Sequence, residues 1–336
     1  MPVPPDPSAK TSMQGLLPAV RHIVLDALSK GVGGTLTRSS DFQKSIGVGA
    51  GTIQRAITLL ANQGAISTIS RGHLGRTITE INVGTAWHLA QLAPLRIVLS
   101  PEGTIEVDAI QATLRDELSA LNIPHSIQPM AGGEPRLQGT INGIYDLTVV
   151  SAGTLEKFTS EQDHSARVLS KILEPGTYYR KDRLVTVTRK TSSTEPVAQM
   201  QRIAIDTSSY DHHSLTTAEF PPEHYTYVDI PYPQIPAYVL AGHVDAGVWR
   251  TTKSPIPFEL AGLETSELTQ PRAQEILNNF SRAAIVTHSN RSEIAAILDS
   301  LHMSALVEVQ DQADLKVREF EQLIFEISQQ SAHSRH

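Results

Sequence analysis

The 336-residue chain contains no cysteine, which excludes a disulfide framework, a thiol nucleophile and cysteine-ligated zinc or iron–sulfur centres. No stretch reaches the roughly 20 uninterrupted apolar residues that span a bilayer. Met1 to Gln14 hold prolines and polar residues where a signal peptide would carry a basic stretch and an apolar run. A cytoplasmic protein with no membrane partner is expected, with residues 1–12 as a flexible tail. Catalytic signatures are missing too. The 13 histidines include no pair at the helical spacing of a zinc protease. His212 and His213 are adjacent, so their side chains diverge. There is no phosphate loop of the Gly-Lys-Ser/Thr kind, and Ser151 lacks a nucleophile-elbow setting. No catalytic residue, metal, cofactor or enzymatic activity is therefore expected.

What is present fits a soluble globular protein, with 40% hydrophobic and 19% charged residues. The length predicts two or three compact units. Net charge is −7 but unevenly spread. Up to Ala90 there are eight basic residues against four acidic ones, and in the remainder twenty against thirty-one. A basic head on an acidic body suits a nucleic-acid-binding module joined to a sensor domain.

Leu16, Leu17, Val20, Ile23, Val24, Ala27 and Leu28 recur at helical spacing until Gly31, Gly33 and Gly34 stop the helix. Ser40 is the expected N-cap of a short second helix carrying Phe42 and Ile46 and ended by Gly47. A third helix is expected from Ala50 to Gln63, with Ile53, Ala56, Ile57 and Leu60 inward and Thr52, Gln54, Arg55 and Thr58 on another face. Two helices joined by a tight turn leave the second free to enter the major groove. Beyond Gly64, two alternating stretches, Ala65 to Ser70 and Arg76 to Ile81, flank a glycine-rich basic tip and predict a wing.

This order of parts resembles the GntR-like winged helix-turn-helix. The residues that carry the likeness are Val48-Gly49-Ala50-Gly51-Thr52-Ile53-Gln54-Arg55-Ala56 and Leu59 to Ile66. Gly49 stands where a capping serine is common, a change costing only a few tenths of a kcal/mol. Ala50 stands where a phosphate-contacting arginine is frequent, which puts DNA affinity rather than the fold in question. The expected DNA contacts are Arg38, Thr52, Gln54, Arg55, Thr58, Arg71, His73 and Arg76. Gln54 and Arg55 have the reach and donor geometry to read base edges, and the wing cations suit phosphates or the minor groove.

After a mostly helical connector at 83–94 that carries Trp87, strand-like and helical segments alternate. Strands are expected at Leu95–Ser100, His125–Pro129, Asp146–Ser151, Leu184–Thr188, Arg202–Asp206, Tyr225–Ile230, Ala246–Arg250 and Arg282–Thr287. Helices are expected at about Val107–Leu121, Gln234–Ala241, Arg291–Leu301 and Ala313–Ser328. Such alternation indicates a mostly parallel sheet with covered faces, and ligands sit beyond the carboxyl ends of its strands. The candidate ligand-binding residues are Ser100, Gly103, Gly132, Gly133, Arg136, Ser151, Gly153, Tyr178, Thr207, Ser208, Tyr232 and Asp245. Small polar turns present backbone N–H groups to an anion, and Arg136 can pair bidentately with a carboxylate or phosphate.

The two-part α/β layout resembles the type 2 periplasmic-binding-protein fold. The whole chain is similar to the YhfZ family in Ser70-Arg71-Gly72-His73-Leu74-Gly75, Pro129 to Arg136, Gly143 to Leu147 and Val244 to Arg250. The fold expected is therefore multidomain. A winged helix-turn-helix (α with a β wing) occupies 13–82, a linker 83–94, and a two-lobed α/β effector domain 95–330. Its first lobe takes 95–184 and 285–330, and its second 190–284. The implied protein is a transcriptional regulator that binds double-stranded operator DNA as a homodimer and senses a small polar or anionic effector. An enzyme on a binding-protein fold and a protein-interaction adaptor are the alternatives.

Overall fold

The structure, a computed structural model, describes residues 15–72, 75–161, 167–190, 200–251 and 256–333. The expected tail at 1–12 and the wing residues His73 and Leu74 lie outside these. The chain forms two compact units, one drawn from Met1–Ile97, Leu114–Ser126 and Thr287–Leu301, the other from Val98–Thr113, Ile127–Val286 and His302–His336.

The chain begins with α1 (Leu16–Lys30), β1 (Thr35–Leu36), α2 (Ser39–Ile46), α3 (Ala50–Asn62), β2 (Ile66–Ser70), β3 (Arg76–Ile81) and α4 (Val83–Leu89). The apolar face of α3 buries Ile53, Ala56, Ile57 and Leu60, the four positions its spacing assigns inward. Helix α2 starts two residues earlier than expected, with Arg38 at the N-cap position and no side-chain cap bond, so Ser40 lies inside the helix. Gly47 closes α2 at φ 75°, a left-handed conformation that favours glycine. Strands β1, β3 and β2 form an antiparallel sheet in that order. Short β1 was not expected from the sequence. Asp26 fixes the loop before α2: it accepts Thr37 N–H at 2.9 Å and the Thr37 hydroxyl at 2.8 Å, and pairs with Lys30 at 2.8 Å. The connector is helical, and Asn82 caps α4 by accepting Thr85 N–H at 3.0 Å.

The elements that follow are β4 (Leu95–Leu99), α5 (Ile105–Ala120), β5 (His125–Pro129), α6 (Gly133–Ile141), β6 (Leu147–Ser151), α7 (Ala152–Ser160) and β7 (Val168–Ile172). Then come β8 (Leu184–Arg189), β9 (Arg202–Ile205), α8 (Tyr210–Glu219), β10 (Thr226–Asp229), α9 (Ile235–Leu240), β11 (Ala246–Arg250) and β12 (Leu263–Glu267). The chain closes with α10 (Pro271–Phe280), β13 (Ala283–His288), α11 (Ser292–Ser300) and α12 (Leu306–His333). Helix α11 packs on α1 inside the first unit.

Two five-stranded sheets result, ordered β5-β4-β6-β13-β7 and β10-β9-β11-β8-β12. Each has the same plan: second strand, first, third, one antiparallel strand, fourth. In the first sheet the antiparallel strand is β13 beside β6, and in the second it is β8 beside β11. This is the two-lobed type 2 binding-protein arrangement, each sheet mostly parallel, as expected, with one antiparallel strand. Strand β8 belongs to the second sheet, so that lobe starts at Leu184 rather than 190. Central strands β6 and β11 are buried along their whole length, as strands covered on both faces must be. In the second lobe, Leu215, Leu277 and Phe280 cover one face, and Ile235 and Val239 the other. In the first, Leu137 and Ile141 of α6 and Leu155 and Phe158 of α7 pack on Val150 and Val286.

Two segments cross between the lobes side by side. Leu173 N–H bonds Ala283 O at 2.8 Å, Ala283 N–H bonds Thr177 Oγ1 at 2.9 Å, and Tyr178 N–H bonds Ser281 O at 2.9 Å.

Candidate functional site

A cleft of about 230 Å³ lies between the two sheets, at the carboxyl ends of their strands. The first lobe contributes Ser100 after β4, Gly132 and Gly133 at the start of α6, Arg136, and Thr154 of α7. Gly132 adopts φ 81°, and a Cβ there would meet the Pro135 ring at 3.1 Å, so the turn requires glycine. The crossing segment contributes Tyr178 and Tyr179. The second lobe contributes Asp206 and Ser208 after β9, Tyr210, Asp211 and His212 of α8, Tyr232 after β10, and Val248 to Arg250 of β11.

Arg136 is 2% exposed. It donates Nη1–H to Met130 O at 2.8 Å, and Nη2–H to Val149 O at 3.3 Å and Tyr178 Oη at 3.0 Å, while its buried Nε finds no acceptor. Arg250 is 6% exposed and donates Nη1–H to Tyr178 O at 3.0 Å, and its Nε is likewise buried without an acceptor. The guanidinium lies 4.6 Å from the Tyr179 ring centroid and 5.7 Å from that of Tyr178, within cation–π range. Burial works against the Arg250 charge, but Tyr179 and Glu106 nearby outweigh it and hold the group protonated. Among the described residues no ion pair within 4 Å joins either guanidinium to a carboxylate.

The carboxylates of the cleft, by contrast, are occupied. Asp211 Oδ1 accepts Ser151 Oγ–H at 2.8 Å and Thr154 Oγ1–H at 2.6 Å, linking α8 to the first lobe. Burial pushes the Asp211 carboxyl above its ordinary value against the pull of these hydroxyls. Asp206 accepts Ser208 N–H at 2.9 Å, Ser208 Oγ–H at 2.5 Å and Tyr232 N–H at 2.9 Å. Those donors overcome its partial burial and hold it below the usual range. His212 Nδ1 accepts Asp206 N–H at 2.9 Å, which assigns the ring proton to Nε2, facing Val248 O at 3.0 Å. Burial lowers the His212 pKa to about 4, so the ring is neutral. Tyr232 stacks on Trp249 with centroids 4.5 Å apart, accepts Arg250 N–H at 2.6 Å, and is pushed up to about 12 by burial.

Of the residues expected to bind ligand, Ser100, Gly132, Gly133, Arg136, Tyr178, Ser208 and Tyr232 line this cleft. The other five do not. Ser151 is fully buried and serves as the donor to Asp211. Gly153 is there for packing, since a Cβ would fall 1.7 Å from the Phe280 ring. Thr207 is turned to Asp229, at 3.1 Å through its N–H and 3.0 Å through its hydroxyl. Asp245 accepts the N–H groups of Gln201 and Arg202 at the opposite end of β9. Gly103 donates its N–H to Asp108 at 3.1 Å within the turn before α5. Tyr179, Asp206, Tyr210, Asp211, His212, Trp249 and Arg250 line the cleft as well, beyond the expected ligand-binding set. A wider hollow of about 590 Å³ lies beside Pro175, Lys181 and α10, but no buried cation lines it.

On the N-terminal module, Gln54, Arg55 and Thr58 are exposed along one side of α3, with Thr52 half-buried beside them. Arg55 donates Nε–H to Gly51 O at 3.3 Å and Nη2–H to Thr52 Oγ1 at 3.3 Å, and Gln54 Nε2–H reaches Thr58 Oγ1 at 3.4 Å. Arg38 and Arg71 are exposed and Arg76 half-buried, whereas His73 is outside the described residues. Arg71 N–H bonds Gly75 O at 2.8 Å across the wing tip. No helix of the described residues is long and apolar enough to cross a membrane.

Residues 83–318 match the family model of the YhfZ C-terminal domain, and residues 32–78 match a helix-turn-helix domain model. The chain is 25% identical over 219 residues to the uncharacterized protein YhfZ of Escherichia coli (strain K12), covering 65% of this chain and 69% of that one. Among solved structures it is similar to YhfZ from Shigella flexneri, at 22% identity and TM-score 0.49, over 65% of this chain and 89% of that one. It is also similar to the periplasmic aliphatic sulphonate binding protein SsuA from Escherichia coli, at 15% identity and TM-score 0.46, over 68% and 71%.

Proposed function

The chain belongs to the YhfZ family, and from that premise we propose that it is a cytoplasmic transcriptional regulator which binds operator DNA and senses a small anionic metabolite, without catalysing a reaction. The observation that carries the effector half is the pair of buried guanidiniums, Arg136 and Arg250, each with an unmatched Nε. A buried guanidinium whose Nε–H lacks an acceptor is costly, and an incoming anion that accepts from it relieves that cost. Since a ligand shifts an equilibrium only by its differential affinity, binding to residues of both lobes favours the closed arrangement.

For the DNA half, α3 enters the major groove with Gln54 and Arg55 toward base edges, while Thr52, Thr58, Arg38, Arg71 and Arg76 serve as backbone contacts. The regulator acts as a homodimer on a pseudo-palindrome, with half-sites about one turn, roughly 34 Å, apart. Phe320, Leu323 and Ile327 of α12 are exposed at helical spacing and supply an apolar face suited to self-association.

The test is selection of binding sites from a random DNA pool with the full chain, followed by gel-shift titration at low and high salt. Phosphate contacts make affinity fall steeply with salt. Arg55→Ala should remove the base preference, at a loss of about 1–3 kcal/mol. Unchanged affinity and preference in that variant would mean that α3 is not the reading helix.

A further inference from the structure

Aromatic residues make up only 5% of the chain, yet Tyr178, Tyr179, Tyr210, Tyr232 and Trp249 supply five of the 24 residues that line the cleft. The rings are also tied to the cation: Arg250 lies over Tyr179, and the Tyr232 hydroxyl takes its backbone N–H. An anion drawn to Arg250 therefore arrives among ring faces and edges.

What the cleft leaves unmatched narrows the ligand further. The buried orphans of its lining are donors: Nε of Arg136, Nε of Arg250 and Nε1 of Trp249, while the unmatched Oε2 of Glu106, near enough to act on the Arg250 charge, lies outside the lining. Its buried carboxylates are already taken, Asp206 by Ser208 and Tyr232, and Asp211 by Ser151 and Thr154. An amino acid needs a free carboxylate for its ammonium group, and a sugar needs acceptors for its hydroxyls. The remaining carboxylate of the lining, Glu102, is exposed and accepts Gln111 Nε2–H at 2.7 Å, so no buried carboxylate awaits an ammonium group. The cleft volume of about 230 Å³ is below the roughly 300–1,000 Å³ of pockets that take drug-sized ligands, which favours a small ligand.

We propose that the cleft takes a small aromatic or heteroaromatic monocarboxylate, its carboxylate on Arg136 and Arg250 and its ring among Tyr179, Tyr232 and Trp249. This rests on the cleft being the effector site. It adds that the anion is flat and carries no ammonium group.

The test is equilibrium binding to the full-length protein by calorimetry, using benzoate and nicotinate against cyclohexanecarboxylate, inorganic phosphate, phenylalanine and benzamide. One of the two aromatic acids is expected to bind at least about tenfold more tightly than all four controls. Arg250→Gln and, separately, Arg250→Lys should each weaken it by about tenfold or more, with folding checked by thermal unfolding. Equal binding of cyclohexanecarboxylate or phosphate, or no binding of either aromatic acid, overturns the flat-ring assignment and leaves an anion site standing. Equal binding of benzamide, or full affinity in both folded Arg250 variants, overturns the anion site and with it the effector reading above.

Discussion

Ser151 Oγ lies 2.8 Å from Asp211 Oδ1, so the last residue of β6 in one lobe donates to a buried carboxyl on α8 of the other. Thr154 donates to the same oxygen at 2.6 Å, which concentrates this interlobe contact on one acceptor atom.

Replacing that acceptor distinguishes its shape from its charge. Asp211→Asn keeps an oxygen for both hydroxyls and should change unfolding free energy by about 1 kcal/mol or less. Asp211→Leu leaves two buried hydroxyl protons without their acceptor, each costing about 1–3 kcal/mol. Urea unfolding of the two variants measures the difference. Equal stability would mean that the contact contributes nothing to stability.

Gly153 and Phe280 form a second interlobe contact, made by packing. A Cβ at 153 would sit 1.7 Å from Phe280 Cε1, closer than atoms can approach. Gly153→Ala should therefore destabilise by about 1–3 kcal/mol or more, as overpacked cores do. Phe280→Leu alone should also destabilise, yet the double variant should lose less than the sum of the two. Additive losses in thermal unfolding would count against this contact.

His212 predicts a pH dependence. Its folded pKa of about 4 lies below the ordinary 6.5, so between these values the unfolded chain binds the extra proton. Stability from keeping the ring neutral is complete above about 6.5 and is lost as pH falls toward 4, by on the order of 3 kcal/mol. The Asp211 carboxyl, raised by burial, opposes this at the acidic end. The informative quantity is thus the difference between wild type and His212→Gln, measured by denaturant titration from pH 7 to 4. A flat difference would mean that the ring is not held neutral.

Arg71 tests the wing. A lone phosphate contact should appear as a decrease of about 1 in the salt slope of DNA binding on Arg71→Ala, with weakening uniform across sequences. A change of sequence preference would place Arg71 on a base.

The N-terminal module was readable because its elements are long enough to show their period. In α3 the inward positions Ile53, Ala56, Ile57 and Leu60 follow directly from helical spacing. Two-residue β1 has no period to detect, and in α8 the polar Asp211, His212, Thr216 and Glu219 are buried along with Leu215 and Ala218, so no clean apolar stripe marks its inner side. Within the cleft, the glycine and serine turns at strand ends were visible from chemistry alone. Arg250 and Trp249 were not, because a buried strand and a site wall use the same residue types, and only the pairing of β11 with β8 and β9 decides which side faces the opening.

The packing of α11 against α1 has a practical consequence. Ile294, Ile297 and Leu298 are all buried, and they stand more than two hundred positions along the chain from the helix their element covers. A fragment cut after Pro94 to isolate the reader would forfeit that cover and bare part of α1 to water. Domain swaps that graft the first ninety-odd residues onto another sensor should for that reason aggregate or melt early, whereas grafts that carry α11 along should not.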